Sequence, residues 1–251
     1  MNKPLRVLIS FFLVLLLAAC QSNFQLSTIT HQTSAIRSDS GQFLDQSVLV
    51  TIAPYKLKLD SLMNQRVMVA TQDLVKENPE GSLGNMVCDQ LMGYAYSKGI
   101  QVDLCILNAG GLRIPVIYKG DIFVRTIYEL MPFDNELVVL DLSGEQLLAF
   151  LDLVSANGGW PVSGLRFKIK NAKAQDIQFA NGKPFETKKV YRLLTSDYLA
   201  GGGDMAAMLK NPLNYESFSI MLRTALMEQL KNNFYAGETL QAIKDGRITK
   251  E

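Results

Sequence analysis

The chain has 251 residues, of which 48% are hydrophobic, enough for one domain of ordinary size with a full core. Lys and Arg number 25 against 24 Asp and Glu, so the formal net charge is +1 and there is no whole-molecule field to gather nucleic acid or an anionic membrane. Anion binding must therefore be local, and the single histidine excludes a histidine-rich metal cluster.

The N-terminus reads "MNKPLRVLISFFLVLLLAAC". Lys3 and Arg6 precede an apolar run from Leu5 to Ala19 that is short for a bilayer span and fits a secretory signal. Leu17-Ala18-Ala19-Cys20 resembles a bacterial lipobox, which implies cleavage before Cys20 and a lipid on Cys20. Gln21 is not acidic, so the resemblance implies an outer-membrane anchor in a Gram-negative envelope. Residues 21–44 are rich in Ser, Thr and Gln without periodicity and hold the lone His31, the composition of a tether. The expected organisation is a signal peptide over 1–19, a tether over 20–44 and one folded domain over 45–251.

From Asp45 the texture changes. "SVLVTIAPYKLKLDSLM" places Val48, Ile52, Tyr55, Leu59 and Leu62 at helical spacing. "QRVMVATQDLV" reads as a strand. "SLGNMVCDQLMGYAYSKG" reads as a helix with Ser82 as its cap and Gly99 as its stop. "VDLCILNAGG" reads as a continuous apolar strand covered on both faces. "DIFVRTIYELM" is a short helix broken by Pro132, "NELVVLDLS" a strand, and "SGEQLLAFLDLVSANGG" a helix ending in glycines. "GLRFKIK", "AQDIQFA" and "KVYRLLTSDYLA" read as strands, with "NGK" turning between the last two. "YESFSIMLRTALMEQLKNNF" reads as one long amphipathic helix. The predicted class is a single α/β domain (α+β, mixed sheet). Cys88 and Cys105 lie in apolar contexts and are expected as buried free thiols rather than a disulfide.

Three stretches invite chemistry. In "ILNAGGLR", Gly110 and Gly111 let the chain bend sharply and let a ligand approach the backbone. Arg113 adds a planar fork suited to phosphate or carboxylate, and Asn108 donates and accepts beside it. In "MPFDNELVV", Phe133 sits in a Pro-containing turn, free to stack on a planar ligand, with Asn135 two residues on. In "TSDYLAGGGDMAAM", Tyr198 is followed by Gly201, Gly202, Gly203 and Asp204, a combination suited to a flat base and a vicinal diol. Each also has a plainer reading: a tight turn with a surface Arg, a loop Phe folded onto the core, and an Asp capping the helix "MAAMLK".

Taken in order and spacing, "SLGNMVCD", "ILNAGGLR", "MPFDNELVVLDLSGEQL", "VSGLRF", "YLAGGGD" and the closing "DGRI" resemble the C-terminal domain of the 5′-nucleotidases, from about residue 45 to the end. The resemblance implies a nucleotide-binding domain whose hydrolytic partner is a separate metallophosphoesterase domain. By the same resemblance Phe133 and Tyr198 sandwich the base, a stacking worth roughly 1–3 kcal/mol per base. Arg113 meets phosphate or the ribose region, Asp204 holds the ribose hydroxyls, and Asn108 and Asn135 complete the substrate-binding set. Gly110, Gly111, Gly202 and Gly203 shape the loops.

The departures matter as much. Many members carry a second Arg directly before the Glu of an "ExxxGN" segment; here Pro79 precedes Glu80, with Lys76 as the candidate substitute. Tyr198 replaces the usual Phe, and Met205 stands where Gly usually follows "GGD". A weaker grip on phosphate and a retained grip on the base are expected. The motifs "DxH" and "GNH[DE]" that hold the family's metal pair have no counterpart here, so no metal, cofactor or catalytic residue is assigned to these residues. Ser163 of "VSG" has no histidine base in the domain. The expected role is the nucleotide-binding half of a 5′-nucleotidase-type phosphohydrolase acting with a metal-bearing catalytic chain. The alternatives are a stand-alone nucleoside- or nucleotide-binding lipoprotein and a scaffold that binds neither. The helix from Asp45 to Met63 is the expected docking side.

Overall fold

A computed structural model of the chain describes residues 46–251. The expected signal peptide, the lipid-bearing Cys20 and the tether with His31 lie outside the described residues. The chain divides into two units, residues 1–51 and 52–251. Of the first, residues 46–51 are described, as the opening of helix α1 (Gln46–Met63).

The second unit carries the rest of α1, and here the expected apolar face is not laid against a core. Ile52, Tyr55, Leu57, Leu59 and Leu62 are all exposed; Met63 alone reaches the core, half-buried. Leu57 interrupts the 3–4 spacing, so the apolar residues spread around the helix instead of forming one stripe.

The elements that follow are β1 (Arg66–Ala70), β2 (Leu74–Val75), α2 (Ser82–Ser97), β3 (Leu104–Ile106), β4 (Val116–Ile117), β5 (Gly120–Phe123) and α3 (Val124–Leu130). Next come β6 (Glu136–Ser143), α4 (Gly144–Ala156), β7 (Val162–Ser163), β8 (Leu165–Lys170), β9 (Lys173–Phe179) and β10 (Val190–Ser196). The chain closes with α5 (Asp197–Ala200), β11 (Asn214–Met221), α6 (Leu222–Tyr235) and β12 (Ile248–Lys250).

The central sheet has the order β11-β6-β10-β3-β7. The β10–β3 pair is parallel and the others antiparallel, so the sheet is mixed, as expected. Its two faces feed two cores, because successive side chains of a strand point to opposite sides. Along β6, Leu137 and Val139 enter one core, while Val138, Leu140 and Leu142 enter the other. Cys105 and Leu194 join the first, with α2 and α6 packed over it; Leu104, Ile106 and Leu193 join the second, beneath α4. Every one of these residues is essentially inaccessible, which is why β6 is apolar without alternation from Leu137 to Leu140. A smaller sheet, β12-β8-β9, closes the second core.

Several local expectations need correction. The long C-terminal helix begins only at Leu222; residues 214–221 form β11, which pairs with the open edge of β6 from Asn214↔Asp141 to Ser217↔Val138. Glu216, Phe218 and Ile220 are half-buried at alternate positions, the period of a strand and not of a helix. The apolar strand through "VDLCILNAGG" shortens to Leu104–Ile106, because the Asp103 carboxylate accepts from the Arg192 amide and Asn108 already starts a turn. "DIFVRTIYELM" is strand before it is helix: Gly120–Phe123 pairs with β1. Ser82 does not cap α2; Gly81 holds that position, and the Ser82 hydroxyl accepts from the Val75 amide at 2.9 Å. Asp204 does not cap a helix, and "MAAMLK" forms only a short 3-10 turn.

Candidate functional site

The cleft is built from three chain segments that leave the central sheet on the same side. Strand β3 delivers Asn108 to a 3-10 turn, Ala109–Gly111. Asn108 is only 8% exposed, and its Nδ2 donates to Asp204 Oδ2 at 2.6 Å. A Cβ on Gly111 would lie 2.9 Å from Asn108 Oδ1, so the turn closes onto the amide only with glycine. The Arg113 amide donates to the Leu130 carbonyl at 2.9 Å, which fastens this turn to the end of α3. The Arg113 guanidinium lies 5.6 Å from the Phe133 ring centre, a cation–π contact.

The second segment joins α3 to β6 and carries Phe133, which is 47% exposed. The third follows β10. Tyr198 is 43% exposed, and its ring lies against Gly203, where a Cβ would come within 2.4 Å of ring atoms. The Tyr198 hydroxyl donates to Asp204 Oδ1 at 2.8 Å, and the Asp204 amide approaches the same hydroxyl at 3.3 Å. That bond to the carboxylate holds the phenol above its ordinary pKa, with lost solvation adding to it. Gly202, Asp204 and Met205 have φ of 87°, 49° and 65°. A glycine adopts such angles without strain and an Asp tolerates them, but at Met205 they carry a steric cost that the usual glycine would avoid.

Asn108, Gly110, Gly111, Arg113, Phe133, Asn135, Tyr198 and Asp204 line one cleft of about 340 Å³. All six side chains expected to bind substrate thus meet at one place, as do two of the four expected glycines. Gly203 lies against the Tyr198 ring and Gly202 against the Lys210 side chain, and neither lines the cleft. Lys76 does not reach it: its Nζ donates to the Leu112 carbonyl at 2.8 Å. The Pro79 carbonyl packs on Gly159, where no Cβ would fit. Among the described residues lining the cleft, Arg113 is the one cation.

Other residues of the motifs turn out to be braces. Glu80 accepts from Asn85 Nδ2 and from the amides of Asp245 and Gly246, and so ties down the "DGRI" turn. Arg247 of that turn makes a two-pronged bond to Asp89, at 2.6 and 2.7 Å. The Ser163 hydroxyl donates to the same carboxylate at 2.6 Å, which commits it to structure. Cys88 and Cys105 are both buried free thiols, as expected. Among the described residues, no group of three or more His, Cys, Asp or Glu is placed to hold a metal ion, and no helix is long and apolar enough to cross a membrane.

Two residues of the site escaped the sequence reading. Asp197 Oδ1 accepts from the amides of both Glu136 and Tyr198, at 3.0 and 2.7 Å, and links the two ring-bearing segments. Arg223 donates to the Met131 and Phe133 carbonyls. Asp197 directly precedes Tyr198 and opens a helical turn, which was a usable signal. Arg223 had none, because the sequence places it inside one long amphipathic helix.

The fold and site together are those of a mixed α/β domain with two exposed rings, a guanidinium and a carboxylate around one cleft. Its kind is shown by its relatives. The chain belongs to the 5′-nucleotidase C-terminal domain family, whose model matches residues 32–211. It is similar to the cell wall protein Lmo0130 of Listeria monocytogenes, 24% identical over 217 residues that cover 76% of this chain and 28% of the relative. It is also similar to a 5′-nucleotidase of Vibrio vulnificus, 23% identical over 194 residues, 75% of this chain and 35% of the relative. Among solved structures, the 5′-nucleotidase precursor of Thermus thermophilus matches with a TM-score of 0.70 at 29% identity, over 82% of this chain and 43% of that one. The chain therefore spans about a third or less of the length of these curated relatives.

Proposed function

We propose that this domain binds a nucleotide and presents it to a metallophosphoesterase on a separate chain, as the binding half of a 5′-nucleotidase-type enzyme of nucleotide scavenging. The observation that carries the reading is the convergence of Phe133, Tyr198, Asp204, Asn108, Asn135 and Arg113 on one cleft of ligand size. The rings supply flat faces for a base, Asp204 accepts from a diol, and Arg113 faces the phosphate. The divalent metals that activate water belong, in this proposal, to the catalytic chain. Family membership and the similarity to named 5′-nucleotidases support the substrate class.

The decisive measurement is phosphate release from AMP by this chain, by a purified metallophosphoesterase chain, and by the two mixed. Turnover that rises only on mixing supports the proposal; release by this chain alone, in a preparation free of contaminating phosphatase, overturns it.

A second reading, a stand-alone nucleoside- or nucleotide-binding protein, draws on one observation. Arg113 is the only cation lining the cleft among the described residues, since Lys76 is spent on Leu112 and Pro79 brings no charge. Calorimetry separates the readings: equal affinity for adenosine and AMP means that phosphate is not read, and favours the second. We further propose that Cys20 carries a lipid that holds the domain in the cell envelope, on the outer membrane. Loss of membrane association and of the lipid mass on Cys20→Ser is the corresponding test.

A further inference from the structure

We infer that Arg223 is the positioning residue for the Phe133 side of the cleft, a role that rests on the nucleotide reading for its ligand but not for its geometry. Arg223 is the second residue of α6, and its side chain is only 7% exposed. Its Nη1 donates to the carbonyls of Met131 and Phe133, each at 3.1 Å. Its Nη2 donates to Asp134 Oδ1 at 2.6 Å, and its guanidinium stands 4.3 Å from the Tyr128 ring centre. Nε is buried without a partner.

A guanidinium is one of the few groups that could do this. The two carbonyls flank Pro132, which has no N–H, where α3 has ended and β6 has not begun. Buried carbonyls need donors, and a planar fork can serve both from one nitrogen while its other nitrogen reaches a carboxylate. The Asp134 side chain is 70% exposed, so that ion pair is screened by water. The carbonyl bonds and the Tyr128 ring are therefore what keep the buried charge in place. The residue before it contributes as well: the Leu222 amide donates to the Asn135 carbonyl at 2.9 Å. The start of α6 thus grips the turn at residues 131, 133 and 135.

The consequence falls on Phe133. It is half exposed, and the ring contact that the structure gives it is Arg113. The ring's position is set by its backbone, and its backbone is held by Arg223.

The test uses the folded domain with adenosine and ribose 5-phosphate as probes. Arg223→Met should weaken adenosine about tenfold, as Phe133→Ala should, while ribose 5-phosphate affinity stays unchanged. The double variant should bind adenosine no more weakly than Phe133→Ala alone, because both remove the same interaction. Multiplying effects, or equal losses for both probes, would overturn the assignment. A ligand-free readout separates this from failure of the nucleotide reading. In a Phe133→Trp background, Arg223→Met should lower the anisotropy of the introduced indole, with the buried native Trp160 as a constant background. If neither probe binds the parent domain and anisotropy still drops, the ligand reading fails and the positioning role stands; unchanged anisotropy sinks the role itself. Where Arg223→Met loses its thermal transition, Arg223→Lys keeps the charge but not the fork and must show the same pattern at smaller amplitude.

Discussion

The hydroxyl of Tyr198 and the carboxylate of Asp204 are bonded at 2.8 Å, and the other oxygen of that carboxylate is taken by Asn108 at 2.6 Å. Both Asp204 oxygens, which in the proposed reading receive a ribose diol, already accept a hydrogen bond. A diol must displace the phenol or share an oxygen with it. In the proposed nucleotide reading, the Tyr198 hydroxyl is therefore a competitor for the sugar.

Removing that competitor should help the ligand. Tyr198→Phe keeps the ring and frees Asp204 Oδ1. Adenosine should bind about fivefold more tightly, the scale of one net hydrogen bond. Adenine, which has no diol, should bind unchanged. Calorimetry with the two ligands checks this, and a loss of adenosine affinity would contradict it.

The same bond carries a pH dependence. In the folded domain the Tyr198 phenol titrates above its ordinary value of 10.0, first because of the hydrogen bond to Asp204. Stability from this bond is fully present below about pH 10 and is lost as pH rises through the higher folded value. Denaturant melts from about pH 9 upward should therefore show a steeper alkaline decline for the parent than for Tyr198→Phe.

Gly203 is a steric test of the ring's seat. Its φ is not left-handed, so alanine meets no backbone penalty there, yet its Cβ would fall 2.4 Å from the Tyr198 ring. Gly203→Ala should push the ring off the loop and weaken adenosine about tenfold, the value of one lost stack. The thermal midpoint should move by only a few degrees, because the site is at the surface.

The Arg247–Asp89 fork should be worth stability and nothing in binding. The Arg247 side chain is 14% exposed and that of Asp89 38%. Breaking a buried pair costs ~3–5 kcal/mol; partial exposure of Asp89 brings Arg247→Met down to ~2 kcal/mol. Urea melts should show the loss while adenosine affinity is unaltered. Ser163→Ala, which removes a donor to the same carboxylate, should cost ~1 kcal/mol.

Cys88 and Cys105, the two cysteines among the described residues, give a probe of the core. Cys88 on α2 and Cys105 on β3 are both fully buried, and burial pushes the Cys105 thiol well above its ordinary pKa. Neither should react with a thiol reagent at about pH 8 until the domain unfolds, when both should react. Rapid labelling of the native domain would mean that α2 does not cover the sheet as described.

Much of the site was legible in residue types alone. "NAGGLR", "PFDN" and "DYLAGGGD" each pair a special side chain with a backbone that must bend, and bends of this kind are marked by residue type. Strands β6, β8, β9 and β10 and helices α2 and α4 were equally plain, because their apolar spacing answers to one repeat over enough residues. The C-terminal segment failed for the converse reason. "YESFSIM" satisfies either period, and what makes it a strand is an unfilled edge of β6, far earlier in the chain.

The sequence by itself determined the class, an α/β domain, and marked its candidate rings, cation and carboxylate; the order of its motifs carried the resemblance to the nucleotidase C-terminal family. Those features are written in residue identity and in short-range sterics, which need no distant partner. Only the tertiary structure decided that Lys76 turns away from the cleft, that Tyr198 occupies Asp204, and that Arg223 holds Phe133. The first and last are contacts between residues far apart in the chain, which exist only once the sheet has closed, and the second depends on the left-handed backbone of the loop that turns Asp204 back onto Tyr198.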